Sequence, residues 1–242
     1  MSGKRFALIC GASGEIGSSI AKRLASEGWS LYLHYNTTPV EQLLAELMLR
    51  YPNQEFLPVQ VNLAELGAAE KLASQLFSLQ AVVFSSGQAY YALLDESTEE
   101  MMEQLWRVHV QNPMLLLRAV GSKLRQQTAS YVVFISSIWG SAGAAGEVVY
   151  STVKGAQQAF VKAYAQEVAF NGIRVNAIAP GFIDTKMNGQ LSIEEREAVL
   201  NEIPMYAAGT PDDIANGVHY LVSGQADYMT GQTLHINGGW YM

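Results

Sequence analysis

The chain has 242 residues, of which 49% are hydrophobic and only 15% charged, and carries a net charge of −7. That length allows one large α/β domain or two small ones, and no linker or charge run divides it, so a single domain over residues 1–242 is expected. The acidic balance, the lack of basic blocks and the lack of any apolar run near the ~18 residues of a membrane helix exclude a general attraction to nucleic acid and a helical membrane span. The large apolar share implies a well-buried core and a surface partly covered by partner subunits. The single cysteine, Cys10, rules out an internal disulfide and fits a reducing, cytoplasmic compartment. Lys4 and Arg5 precede an apolar run that Gly11 and Glu15 interrupt, which argues against a signal peptide.

In chain order, Phe6–Cys10 reads as the first strand. Gly11-Ala-Ser-Gly14-Glu-Ile-Gly17 follows and opens a helix that runs through Leu24. Glycines at a strand-to-helix turn let backbone N–H groups approach a phosphate, and the helix N-terminus favours negative charge there. The spacing is not the usual Gly-x-Gly-x-x-Gly, and an ordinary tight connection would read the same way. Apolar segments at 31–35, 56–61, 81–84, 131–135, 174–177 and 233–236 alternate with helical stretches. That alternation is the pattern of a parallel sheet with helices on both faces.

The segment 131–135 leads into Ser136-Ser-Ile-Trp-Gly140, a Gly/Ala-rich link to Gly146 and a long helical pattern beginning near Tyr150. Tyr150 and Lys154 are four residues apart and share one helix face. Ser137 lies at the strand end, where open α/β sheets bind their ligands. A phenol of ordinary pKa, about 10, is a poor acid near neutrality. An ammonium alongside is expected to favour the phenolate. Tyr150 is then a proton donor to a developing alkoxide, with Ser137 hydrogen-bonding the same oxygen. Tyr-x-x-x-Lys also arises by chance on amphipathic helices, so the upstream serine and the glycine loop are what single this pair out.

Three further stretches complete a set: Phe84-Ser-Ser-Gly87, Arg174-Val-Asn-Ala-Ile-Ala-Pro-Gly181 and Tyr228-Met-Thr-Gly-Gln-Thr-Leu-His-Ile-Asn-Gly-Gly239. With them the chain resembles a short-chain dehydrogenase/reductase over its whole length. The last two are similar to the 3-oxoacyl-carrier-protein reductases, while His34-Tyr-Asn-Thr37, His109 and Ser136-Ser-Ile-Trp-Gly140 look more like a narrower branch, the elongation factor P 5-aminopentanone reductases. The resemblance implies a single Rossmann-type doubly wound α/β domain with a seven-stranded parallel sheet. It also implies an NADP-dependent oxidoreductase that reduces a ketone to a secondary alcohol, a homotetramer, and no metal. By the same resemblance Ser137, Tyr150 and Lys154 are catalytic, and Lys154 also binds the nicotinamide ribose. Gly11, Ser13, Glu15, Ile16 and Gly17 line the diphosphate and ribose, Asn62 and Leu63 the adenine, Ser85, Ser86 and Gly87 the adenosine ribose, and Pro180, Gly181, Ile183 and Thr185 the nicotinamide.

The chain departs from the family pattern at several places. Cys10 stands where a threonine is usual, Glu15 replaces the middle glycine, Asn62 an aspartate and Ser85 the asparagine of Asn-Ala-Gly. The helix asparagine that holds a relay water in the family falls on His109, which either supports the relay as imidazole or satisfies a buried backbone group. An acid at the end of the second strand would hold the ribose 2′-hydroxyl of NAD. Here Tyr35, Asn36 and Thr37 stand instead, so NADPH is favoured through the absence of repulsion and neutral donors, with a solvated, unselective loop as the alternative.

The substrate side reads as a flap at about 184–205, with Ser192-Ile-Glu-Glu195 capping a short helix and Thr210-Pro-Asp-Asp213 capping the next. Carrier-protein reductases carry arginines where Thr128 and Asn171 stand, which weakens docking of an acidic carrier, although Arg118, Lys123 and Arg125 are nearby. Trp139 and Glu147 are placed to shape the pocket, and an acid there suits a substrate bearing an amine. The loop position nonetheless favours a solvated Glu147. The apolar end Gly238-Gly-Trp-Tyr-Met242 packs either across a subunit axis or against its own sheet. The expected partners are therefore a ketone substrate, on a carrier-bound acyl chain or on elongation factor P, and a nucleotide-sensing binding protein on the same fold is the other class.

Overall fold

A computed structural model describes residues 4–189 and 191–241. Gln190, within the expected flap, and Met242, at the end of the apolar terminus, lie outside the described residues. Seven parallel strands lie in the order β3-β2-β1-β4-β5-β6-β7: β1 (Phe6–Cys10), β2 (Ser30–Tyr35), β3 (Phe56–Gln60), β4 (Ala81–Phe84), β5 (Ser130–Ile135), β6 (Ile173–Pro180) and β7 (Thr233–Ile236). The strands β1, β4 and β5 are buried at every position. A parallel sheet covered on both faces selects such unbroken apolar runs.

Successive residues serve opposite faces. Leu8 and Phe134 join one apolar layer with Leu72, Leu116 and Val161, under α3 (Ala68–Ala73), α5 (Asn112–Arg125) and α7 (Val148–Val168). Ile9 and Leu33 join the other with Ile20, Leu43 and Ile214, under α1 (Glu15–Ser26), α2 (Glu41–Arg50) and α9 (Pro211–Val222). The remaining helices are α4 (Glu99–Trp106), the short α6 (Trp139–Ala142) and α8 (Ile193–Glu202), and a π-helical turn, Arg107–Gln111, joins α4 to α5. The two capping signals hold: Ser192 and Glu195 cap α8 reciprocally, as Thr210 and Asp213 do α9 with Pro211 in the first turn.

The largest boundary difference from the sequence reading is β6, which reaches Pro180 rather than ending at 177. It pairs with β5 as far as Ile178 and with β7 to its last residue, and a proline at a strand end gives up little of the ladder.

The chain moves outward from β1 through β2 to β3, then returns across β1 to start β4. The reversal opens a crevice at the carboxyl ends of β1 and β4, where Cys10 lies opposite Phe84. Gly11 forms its wall. At φ +80° it sits so close to β4 that a Cβ would lie 2.8 Å from Ser86 Cα. Gly11→Ala is therefore expected to cost roughly 2 kcal/mol, lowering the unfolding midpoint by about 4–8 °C for a domain of this size. A thermal melt within one degree of the parent would show that the loop relaxes freely.

Candidate active site

Along the carboxyl edge of the sheet three compartments follow one another and share lining residues. The first, about 240 Å³, lies between the glycine loop and β4 and is lined by Gly11, Ser13, Asn36, Asn62, Leu63, Ser85, Ser86 and Gly87 among others. The second, about 120 Å³, shares Ser85, Ser86, Gly87 and His109 with it and adds Ile16, Ser137, Tyr150, Lys154, Pro180, Gly181, Ile183 and Thr185. The third, about 230 Å³, shares Ser137, Tyr150, Gly181 and Asn188 with the second and adds Tyr91, Trp139, Glu147, Phe182, Leu191, Val199 and Trp240.

Most residues singled out from the sequence thus meet at one crevice. Gly17 lies beneath the wall, its Cα packed on the Gly11 carbonyl with no room for a Cβ. Glu15 stands at the start of α1 but turns to the flap, its carboxylate accepting from Lys186 N at 2.6 Å. Tyr35 packs on the apolar layer, and Thr37 is exposed outside the lining. The sequence reading missed Gln88, Asn188, Tyr91, Leu191, Val199 and Trp240, and treated His34 only as part of a motif. His34 carried a signal, a histidine inside an apolar strand; Asn188, Leu191 and Val199 fall within the 184–205 segment expected over the substrate, and Gln88, Tyr91 and Trp240 are brought in by loops whose path no local pattern gives.

The serine and the tyrosine meet because β5 and α7 are joined by a polar seam. Lys154 Nζ donates to the Ile135 carbonyl at 2.9 Å, and Ser136 Oγ donates to the Lys154 carbonyl at 3.1 Å. Gln158 Nε2 donates to Ser136 Oγ at 3.3 Å and to the Ser137 carbonyl at 3.0 Å. Tyr150, one turn before Lys154, then faces the strand end, with Lys154 Nζ 5.4 Å from its ring centre.

The electrostatics correct one expectation. The phenol stands above rather than below its ordinary value, and Lys154 is not among the groups that move it. Burial comes first and pushes Tyr150 above the ordinary phenol value, with Glu147 and Tyr91 adding to the rise and the Ser137 hydroxyl pulling it partly back. Burial also draws Lys154 from 10.5 down to about 7. A charge in a poorly solvated crevice loses more hydration than a distant partner returns, so both groups move toward their neutral forms. A tyrosine held protonated is an acid in waiting, and a lysine near 7 exchanges protons at neutral pH.

His109 and Glu147 follow the same rule. The His109 ring is 1% exposed and lies edge-on to the Tyr150 ring at 6.0 Å. Burial and then Lys154 hold it well below 6.5, opposed by the Gln88 backbone; neither ring nitrogen, however, reaches hydrogen-bond geometry with any partner. By strict geometry the ring is not bonded to a backbone group, although the Gln88 backbone lies close enough to favour its charged form, so both readings of His109 stand. Its own carbonyl, freed in the π turn, accepts from Gln157 Nε2 at 2.8 Å. Glu147 is 8% exposed, so its expectation as a solvated loop residue is overturned. Trp139 leans on its carboxyl, and burial raises it to about 7. Trp139 in turn packs edge-on against Trp240 and Tyr241, centroids 5.2 and 5.1 Å away, so the chain end folds over its own third compartment.

Among the described residues no group of three or more His, Cys, Asp or Glu could hold a metal ion, and no helix is long and apolar enough to cross a membrane. A dinucleotide fits what is there. Gly11 and Gly17 leave no room for side chains where a backbone cradle is needed, and the buried Ser86 hydroxyl and both His109 nitrogens lack partners beside it.

The family described as Enoyl-(Acyl carrier protein) reductase matches residues 11–241. The chain is 40% identical to the Bacillus subtilis oxidoreductase YmfI over 97% of its own length and 98% of that protein. It is 33% identical to the 3-oxoacyl-(acyl-carrier-protein) reductase FabG of Staphylococcus aureus over 98% of each. Among solved structures, YwfH, an NADPH-dependent reductase involved in bacilysin biosynthesis, superposes with a TM-score of 0.90 over 99% of both chains at 22% identity, a likeness of fold.

Glu147 makes stability depend on pH. Its folded value is raised above the ordinary 4.5, so its contribution is fully present below pH 4.5 and is lost as pH rises through about 7. Glu147→Gln, which cannot ionise, is expected to match the parent near pH 4.5. At pH 8 it should be more stable by roughly 1–2 kcal/mol, after discounting for solvent in the compartment. Denaturant titrations at the two pH values give the comparison.

Proposed function

The chain belongs to the short-chain dehydrogenase/reductase family of oxidoreductases, and from that premise we propose that it is an NADPH-dependent carbonyl reductase that turns a ketone into a secondary alcohol. The observation that carries this reading is the meeting of Ser137, Tyr150 and Lys154 in one small compartment that shares a wall, Ser85 to Gln88 and His109, with the glycine-loop crevice. A nucleotide sensor would need the crevice but not the acid.

In this reading Gly11, Ser13 and the start of α1 hold the diphosphate, Asn62 and Leu63 the adenine, Ser85 to Gly87 the adenosine ribose, and Pro180, Gly181, Ile183 and Thr185 the nicotinamide. The bound dinucleotide supplies a hydride to the carbonyl carbon. Tyr150, kept protonated by burial, delivers its proton to the carbonyl oxygen while Ser137 hydrogen-bonds that oxygen. Lys154, near 7, restores the proton to the phenol, and His109 stands beside Tyr150 as the next group of the relay. The lining of the first compartment includes no carboxylate, which supports NADPH over NADH, with Asn36 at its rim as a neutral donor.

Two substrates fit a ketone reductase of this kind: a 3-oxoacyl thioester and the 5-aminopentanone on a lysine of elongation factor P. Likeness to FabG supports the first. The third compartment supports the second. Glu147 faces it nine-tenths buried, and no Lys, Arg or His pairs with it among the described residues. A buried carboxylate without a cation invites a protonated amine.

With NADPH absorbance followed against acetoacetyl thioester and an amino ketone, Tyr150→Phe is expected to lower turnover by at least about 10²-fold; unchanged turnover would refute the acid assignment. Asn36→Asp should shift preference toward NADH by about tenfold, since a carboxylate there repels a 2′-phosphate and accepts from a 2′-hydroxyl. Elongation factor P from cells lacking this protein, weighed intact, should be two hydrogens lighter; an unaltered mass eliminates the second substrate.

A further inference from the structure

His34 has no part in the chemistry above, yet it lines the first compartment while only 2% exposed. It sits near the end of β2, in register with Cys10 of β1 and with Val59 of β3. Its neighbours along the strand, Leu31, Tyr32 and Leu33, are all fully buried. A polar ring in such a run is costly unless both nitrogens are partnered, and here both are. Nε2 lies 2.9 Å from the Val61 carbonyl, and Gly11 N donates to Nδ1 at 3.1 Å. A carbonyl can only accept, so Nε2 carries the hydrogen and Nδ1 is the bare acceptor. Burial, which draws this ring down to about 4, keeps it neutral at physiological pH, as an accepting Nδ1 requires.

The partner on the Nδ1 side is the first N–H of the glycine loop, and the second, Ala12 N, donates to His34's own carbonyl at 2.8 Å. One residue of β2 therefore grips both opening amides of the loop, while Ser86 presses on Gly11 from the β4 side. The ring's other end is bonded to the chain just before Asn62 and Leu63, which line the same compartment. A histidine serving only as core filler would have no reason to bridge the two ends of that compartment.

We propose that His34 is a positioning residue for nucleotide binding: its Nε2–H tautomer clamps the glycine loop to the 61–63 turn and sets the distance between the two ends of the adenosine compartment. This rests on the dinucleotide reading of the crevice. It does not depend on which ketone is reduced.

The test uses the full chain and NADP itself, titrated by calorimetry. His34→Leu removes both bonds; His34→Gln keeps one acceptor and one donor on a planar side chain. Losing one well-placed bond that shapes the loop corresponds to about a tenfold loss. The expectation is that Leu weakens NADP about tenfold and Gln by no more than about threefold, with KM for the ketone at saturating NADPH unchanged in both. Equal affinity in Leu and parent, or Gln as weak as Leu, overturns the proposal. Should Leu fail to fold, the ¹⁵N shifts of the parent's own ring decide: the clamp requires an unprotonated Nδ1 before and after NADP is added, and a protonated Nδ1 in either condition overturns it. If the parent itself takes up no NADP, the dinucleotide reading fails instead, which separates the two outcomes.

Discussion

The hydrogen bond from Lys154 to the Ile135 carbonyl joins the helix that bears the phenol to the strand end that the serine follows by two residues. Around it Ser136, Gln158 and the Ser137 carbonyl form a short polar network, buried from end to end. Gly140 completes the junction, because a Cβ there would lie 2.8 Å from the Lys154 backbone. The seam has two consequences. It ties the segment carrying Ser137, just past β5, to the helix carrying Tyr150, and it takes the lysine out of water. Buried networks of this kind specify a single arrangement because any member left unpaired is expensive.

Dryness then governs the chemistry. Tyr150, Lys154, His109 and Glu147 are all displaced toward their neutral forms, and burial is the largest cause in each. In water the phenol and the ammonium would differ little from their ordinary values. In this crevice the two come to rest protonated phenol beside near-neutral amine, the pairing that suits delivery of a proton to a nascent alkoxide. Glu147, one turn before Tyr150, adds to the phenol's reluctance to ionise, so the substrate side of the crevice reinforces what the lysine side leaves undone.

The third compartment is built from parts far apart in the chain. Trp139 follows β5, Tyr91 lies after β4, and Trp240 and Tyr241 come from the chain end. The isolated pairing of Ala92 with Glu147 draws the Tyr91 loop against the start of α7. The chain end is shaped by Asn237, whose side-chain amide donates to the Trp240 and Tyr241 carbonyls. The segment 184–205 supplies Asn188, Leu191 and Val199 and is held to the start of α1 through Glu15. Whatever binds there is therefore surrounded by aromatic faces and one acid.

Local pattern alone showed the strands, the two capped helix starts and the shared helix face of Tyr150 and Lys154. The strands announce themselves as unbroken apolar runs because both faces of the sheet are covered, Thr210-Pro-Asp-Asp213 signals a helix start through its own short-range bonds, and Tyr150 and Lys154 share a face by helical period. Charge states were beyond it. Sequence spacing places an ammonium next to a phenol but carries no measure of water, so Lys154 was read as an acidifying cation and Glu147 as a solvated loop residue, and both readings failed. The reach of His34 across three strand ends and the folding of Trp240 over Trp139 were equally out of view. Hydration and long-range contact are properties of the packed chain, set by residues tens to hundreds of positions apart, and only the tertiary structure decided them.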